Sequence, residues 1–403
     1  PRWSYNGAKY AWTPSQTKPE VPAVSPDVVV IPPNAKYIID VGDGLPDTGN
    51  MRVRIRAARY SATEKYPPTL RLFFGNQASN DSRVAVWAGE HDITVTAQPD
   101  RPEFYHWDVR LSEIARNAYR HITKLGDLPN PAEFLQIKNT SSRKVAVQID
   151  YVEITAPTFD QWPPESHTRI FFDRPNQKNE GKYARKVLAQ FVHRAWRRPA
   201  TDAEIDQKMA LLSRFRPQCE DLQEAMVEVL ASVLASPKFL YLVEAGEADS
   251  QGISDYELAS RLSFFLWSSL PDSKLLRLAK QGRLRKPKVL ERQAKRMLAD
   301  PKAKRLARHF TRQWLGLELL DFLKIDTKAH GRFDPLLMEA MKEEPVAFFA
   351  EVLQRNRSVT DFLQSDYAMV NDRLARHYKF PELVGSNLRP VKLQPGDRRG
   401  GLL

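Results

Sequence analysis

The stretch Met51-Arg52-Val53-Arg54-Ile55-Arg56-Ala57 alternates without a break between apolar residues and arginines. A period of two puts successive side chains on opposite faces of a strand, so this segment predicts one buried face and one arginine face. Similar short runs surround it: Val28–Ile31, Leu70–Phe74, Val84–Trp87, Ile93–Val95, Phe104–Leu111, Phe134–Ile137 and Val145–Ile154. Turn residues separate them at Gly42-Asp43-Gly44, Pro67-Pro68, Gly75-Asn76, Asn80-Asp81 and Pro99-Asp100. About eight short strands in about 130 residues predict an antiparallel β-sandwich of the jelly-roll kind over 26–156. Residues 1–25 have no clear period and read as an extended leader.

Beyond the sandwich the pattern changes. Pro157, Trp162-Pro163-Pro164 and Pro175 mark 157–180 as a linker. After it the apolar spacing becomes helical. Tyr183–Arg197 reads as one helix. Thr201-Asp202-Ala203-Glu204 and Ser254-Asp255-Tyr256-Glu257 have capping-box spacing and open two more. Leu258, Leu262, Phe265 and Leu266 form the core stripe of the helix after Ser254. Further helices fall at Lys274–Lys280, Lys288–Leu298, Ala303–Leu315, Leu336–Gln354 and Asp372–Tyr378, with Pro345 expected to kink the long one. No strand pattern follows residue 183. The fold class is therefore multidomain β plus α, with an N-terminal jelly-roll sandwich and C-terminal all-α domains at 181–246 and 252–385. The 403 residues suit two or three such domains.

The 61 basic and 49 acidic residues give a net charge of +12, and the excess is local. Fifteen basic residues face only two acids, Glu291 and Asp300, between Lys274 and Arg312. In the helix Ala303–Leu315, Leu306, Phe310 and Trp314 read as the core stripe and Arg305, Arg308 and Arg312 as a basic face. Such a face suits an anionic glycan, an acidic protein or nucleic acid. Aromatics do not interleave with it and no nucleic-acid motif is present, so nucleic acid ranks last. The single cysteine, Cys219, cannot form an internal disulfide or a CxxC metal site. No apolar run is long enough to span a bilayer. The start at Pro1 and the end at Gly400-Gly401-Leu402-Leu403 read as a piece of a longer chain.

HExxH, GxSxG, Walker A, GxGxxG and CxxCH are all absent. In the β half, Trp87, Tyr105 and Trp107 are the candidate ligand platform, because an exposed aromatic face stacks on a sugar ring; core packing is the alternative. In the helical half, Ser365–Tyr378 is the densest polar and aromatic cluster. Asn371 suits the N-cap of a helix there, and Asp366 and His377 are the candidate acid/base pair. Glu343 and Glu344, ahead of Pro345, read as a solvated turn.

Two resemblances extend this reading. The strand Ile149-Asp150-Tyr151-Val152-Glu153-Ile154 is similar to the last strand of calcium-supported jelly-roll carbohydrate-binding modules. That likeness implies a structural calcium with Asp150 as a ligand, although Pro32-Pro33-Asn34 stands where a second acid is expected. The helical segments ARKVLAQFVHRAWRRPATDAEID (184–206), ELASRLSFFLWSSLPDSKLLRLAKQGRL (257–284) and SDYAMVNDRLARHY (365–378) resemble two adjacent domains of unknown function found in large exported planctomycete proteins. The segment 386–403 resembles the opening of a third. In that family the domains accompany a c-type cytochrome domain and an inserted carbohydrate-binding-like sandwich. The resemblance implies an exported setting, with haem only in a flanking domain and no haem motif in this chain. The expected function is a non-catalytic binding and scaffold segment. The sandwich would hold a polysaccharide, and the helical half would dock flanking domains or a redox partner. An enzyme acting on an anionic polysaccharide through Asp366 and His377 is the alternative.

Overall fold

A computed structural model describes residues 20–42, 44–77, 83–89, 91–117, 133–172, 179–242, 252–323, 325–326, 329, 333–394, 396–397 and 399–402. Most of the leader, Asp43, Asn80-Asp81, Pro175, the junction at 246–251, Arg398 and Leu403 lie outside them. The chain divides into two compact units that do not follow its linear order: Pro1–Trp162 with Lys324–Glu344 and Asp366–Arg399, and Pro163–Leu323 with Pro345–Ser365 and Gly400–Leu403. The stretch read from the sequence as 252–385 is thus shared between the units.

Among the described residues the first unit holds nine strands of the sandwich: β1 (Val29–Ile31), β2 (Lys36–Gly42), β3 (Asn50–Arg59), β4 (Thr69–Gln77), β5 (Arg83–Trp87), β6 (Ile93–Thr94), β7 (Glu103–Arg110), β8 (Glu133–Asn139) and β9 (Val147–Thr158). One antiparallel sheet runs β1-β9-β3-β7; the other runs β2-β8-β4-β5, with β6 also on β4. The alternation in β3 holds: Met51, Val53, Ile55 and Ala57 are fully buried, while the arginines between them face outward. They meet Leu70, Leu72, Leu135, Ile137 and Trp107 in the core between the sheets. The sequence reading missed β2, because Lys36-Tyr37-Ile38-Ile39-Asp40-Val41-Gly42 lacks alternation and stays half exposed.

The outward face of the five-stranded sheet is not free. Phe134, Gln136 and Arg71 point that way and are buried. Gly75 leaves room for the Phe134 ring, which an added Cβ would approach to 2.5 Å. The unit's C-terminal pieces contribute a small core of their own around Leu337, Ala340, Val370 and Leu374. That core includes β10 (Tyr367–Val370) paired antiparallel with β11 (Arg389–Lys392), which corrects the expectation of no strand after 183. Four residues are too short to show a period, and β10 is buried on both faces.

The helices are α1 (Glu165–Thr168), α2 (Glu180–Ala195), α3 (Asp202–Phe215), α4 (Leu222–Leu234), α5 (Pro237–Leu240), α6 (Asp255–Trp267), α7 (Ser273–Lys280), α8 (Pro287–Leu298), α9 (Lys304–Trp314), α10 (Pro335–Gln354) and α11 (Asp372–Tyr378). Both capping boxes form as read, at Thr201/Glu204 and Ser254/Glu257, and the Asn371 side chain caps α11. The second unit packs α2, α3 and α4 around Val187, Leu188 and Met226, and α6 to α9 around Trp267, Leu275 and Met297. The division between the units crosses α10 between Glu344 and Pro345, a residue that has no N–H for the helix ladder.

Candidate functional site

Three surfaces gather the chemistry. The first is an ion-pair ladder on the arginine face of β3. Arg52 pairs with Asp108 at 2.7 Å, Arg54 with Glu153 at 2.8 Å and Arg56 with Asp150 at 2.7 Å. The Arg54 guanidinium also lies 4.3 Å from the Phe104 ring centroid. Burial grades the rungs. Arg52 and Asp108 are about half exposed (50% and 48%), where such pairs contribute about 0–1 kcal/mol. Arg56 and Asp150 are 7% and 2% exposed. Burial alone would raise the Asp150 carboxyl, but hydrogen bonds from Arg56 and from the Ser25 N–H outweigh it and hold the group below its usual range. Asp150 is the residue expected as a calcium ligand. A calcium ion takes six to eight oxygen ligands. Both Asp150 oxygens already accept from Arg56. The oxygens at Asp150 are engaged by a guanidinium.

The second surface surrounds Arg71 on the outward face of β4. Its Nε donates to Asp92 Oδ1 at 2.6 Å, and its Nη1 donates to Glu339 on α10 at 2.7 Å. The Thr140 hydroxyl donates to the second Asp92 oxygen at 3.1 Å. The guanidinium sits 4.3 Å from the Trp87 ring centroid. Nearby, Arg373 of α11 pairs with Asp334 and donates to the Thr140 carbonyl, and Ser142 donates to Asp372 at 2.6 Å. The sandwich face and the C-terminal pieces of this unit are therefore joined by buried charges.

The aromatic candidates separate here. Trp87, on edge strand β5, is 41% exposed beside Val84 and Val86. Tyr105 is half-buried, and its hydroxyl accepts from the Thr96 and Ala97 N–H groups at 3.0 and 3.1 Å. Trp107 is 1% exposed and lies between the sheets, which removes it as a platform. The signal for this was in the sequence. His106, Asp108 and Arg110 alternate with Trp107 and Val109, so the polar residues mark the outward phase.

The third surface belongs to the second unit. Along α9 and its N-cap the core seam is Ala303, Ala307 and Thr311, not the expected Phe310 and Trp314. Small residues four apart let this helix approach its neighbours closely, and the two aromatics fall beside the seam. Phe310 packs on Phe349 and Trp314 on Phe362, with Phe349 and Phe362 stacked at 5.6 Å. Leu319 (74% exposed) and Phe322 (83% exposed), just after α9, and Val359 and Leu363, either side of Phe362, face solvent. Phe265 of α6, expected in the core, is also exposed. On the opposite side of α9, Arg305 and Arg308 are exposed. Arg305 donates to the Trp267 carbonyl at 3.3 Å, placing a cation at the C-terminal end of α6, and Arg312 pairs with Asp321 at 3.6 Å.

The acid/base candidates are not brought together. Asp366 and His377 are both exposed, and no hydrogen bond or ion pair joins them. Partial burial and then Arg399 push the His377 imidazole below its usual value. The buried chemistry in this region is a different pair, Tyr378 donating to Glu344 Oε2 at 2.5 Å with Arg399 over the phenol ring. Glu344 lies on α10, half-buried, not on a solvated turn. Burial pushes its carboxyl above the ordinary value of 4.5, although Tyr378 and Arg399 act the other way. A carboxyl raised on folding binds its proton more tightly in the native state, so its contribution to stability falls as pH climbs through the raised value. The variant Glu344→Gln is expected to gain stability over the parent as pH rises from about 4.5 to neutral, with little difference below that window. Urea midpoints at pH 4 and pH 7 measure this, and equal differences at both would contradict it.

Comparisons with known proteins divide along the same line. Residues 183–244 match the family "Protein of unknown function (DUF1595)", and residues 253–380 match "Protein of unknown function (DUF1592)". No curated protein matches the chain significantly. Among solved structures, the chain is similar to a family 16 carbohydrate binding module at 8% identity, covering 32% of this chain and 75% of that one, with a TM-score of 0.19. It is similar to a xylan-binding domain from Paenibacillus barcinonensis at 10% identity, covering 33% and 83%, with a TM-score of 0.21. A Clostridium thermocellum endo-1,4-beta-D-xylanase complexed with xylohexaose is 12% identical over 40% of this chain and 28% of that one, with a TM-score of 0.21. The sandwich itself is established by its own strand order and register.

Proposed function

Starting from a helical half that carries these two domains, we propose that the chain is a non-catalytic scaffold segment of a larger exported protein. In this reading the helical half docks a neighbouring folded domain of the same protein through the surface around Phe310, Trp314 and Phe322. One observation carries it: Leu319 and Phe322, just after α9, and Val359 and Leu363, either side of Phe362, are all exposed, while the Phe310, Trp314, Phe349 and Phe362 rings pack together. Scattered apolar residues on a surface are ordinary, but a cluster of this kind is the mark of an interaction site. The sandwich acts as a platform, because the outward face of its five-stranded sheet is engaged by α10 and α11 through Arg71 and Arg373. Polysaccharide contact falls to Trp87, the exposed one of the three aromatic candidates, on edge strand β5. No helix among the described residues is long and apolar enough to cross a membrane.

A photo-cross-linking side chain at position 322 of the protein from its native host tests the docking. Adducts with a segment outside residues 1–403 are expected. Adducts confined to residues 163–323, or none, would overturn the reading.

A further inference from the structure

Arg56 sits in a cage of oxygens that has the character of a cation site. Its Nε donates to Asp150 Oδ1 and Oδ2 at 2.9 and 3.1 Å, and its Nη2 donates to Oδ2 at 2.7 Å. Its Nη1 donates to the Pro22 carbonyl at 2.9 Å, and Nη2 also donates to the Ala23 carbonyl at 3.0 Å. The Ser25 N–H closes the ring by donating to Asp150 Oδ2 at 3.0 Å. One carboxylate and two main-chain carbonyls around a single positive charge are the ligand types a hard cation takes. Phe104 and Tyr151 present their rings to the guanidinium at 5.6 and 5.7 Å, which excludes water from its flanks.

We propose that the Arg56 guanidinium is a built-in cation. It occupies the place of a structural metal, ties the segment 22–25 across the outer face of the four-stranded sheet, and makes the sandwich independent of calcium. The chemistry favours this over a metal for two reasons. A tethered cation has no dissociation equilibrium, so the tie holds at any free calcium concentration. The planar fork also meets the carboxylate and the two carbonyls with its own N–H groups, which a lysine ammonium on the same strand cannot reproduce. The segment ahead of β1 is thereby held to β3 and β9, although it pairs with neither as a strand.

Thermal melting of the full chain tests the proposal. The parent protein is expected to melt at the same temperature in millimolar calcium and in excess EDTA. The variant Arg56→Ala is expected to melt about 10 °C lower, since it strands a buried carboxylate. Millimolar methylguanidinium should restore at least half of that loss, and equimolar methylammonium should not, because only the former refills the fork. Should Arg56→Ala fail to fold, Arg56→Lys provides the second measurement. It keeps the charge and loses the fork, so proteolytic cleavage within 20–27 should be faster than in the parent while the sandwich stays folded. A calcium-dependent melting temperature in the parent would overturn the proposal. So would an Arg56→Ala variant as stable as the parent, equal rescue by methylammonium, or unchanged cleavage in Arg56→Lys.

Discussion

The variant Trp107→Ala is expected to lose about 3–5 kcal/mol of stability, the range for truncating a fully buried large aromatic. Trp107 pairs across the sheet with Val53 and lies against Gly89, where an added Cβ would come within 3.0 Å of its indole. Little can move in to fill the space it leaves, because the surrounding β3, β4 and β8 side chains are held by two sheets. Trp107→Phe should cost less than half as much. It removes less volume, and it also deletes the Nε1–H, which is buried without a hydrogen-bond partner. Urea unfolding followed by circular dichroism gives both numbers. A Trp107→Ala protein with an unchanged midpoint would mean that the indole is not a core residue.

The second large effect belongs to Asp92→Ala. The Asp92 side chain is almost fully buried and takes two hydrogen bonds from Arg71 and one from Thr140. Its removal leaves the buried guanidinium with Glu339 as its remaining carboxylate, and Glu339 is far more exposed. Breaking one side of a buried pair costs about 3 kcal/mol or more, chiefly through the charge left behind. The double variant Arg71→Met with Asp92→Leu should recover most of that loss, since removing both charges removes the desolvation cost as well. Comparing the single and double variants by denaturant midpoint separates the worth of the pair from the cost of stranding one partner. Recovery is not expected if Arg71 acts mainly by stacking on Trp87.

These variants bear on what could be read in advance. The alternation in Met51–Ala57 placed the core face and the arginine face of β3 correctly, and the capping boxes at Thr201 and Ser254 placed two helix starts. Both signals are local: they depend on side-chain direction and on the first turn of a helix. The helical half was also legible as a family pattern, and residues 183–244 and 253–380 match the expected domains. The candidate site was much less legible. The polar residues flanking Trp107 marked its inward phase, but nothing local showed that Trp87 lies on an edge strand. Asp366 and His377 sit eleven positions apart in one cluster and still do not meet, because the short strand β10 and the cap at Asn371 intervene.

The sequence by itself determined most of the sandwich strands and most of the helices, though not β2, β10 or β11, together with the outward row of arginines on β3 and the location of the basic stretch in α7 to α9. Those properties follow from period, capping and composition, which act over a few residues. Only the tertiary structure decided which charges are worth anything. Arg52, Arg54 and Arg56 are spaced identically along one strand, but their partners and burial differ, so one pair is a surface contact and another holds a segment more than thirty residues distant in sequence. The same holds for α9, where the seam of Ala303, Ala307 and Thr311 turned two aromatics toward solvent. The strength of a charge pair and the exposure of a ring depend on what the rest of the chain brings against them, and no local pattern records that.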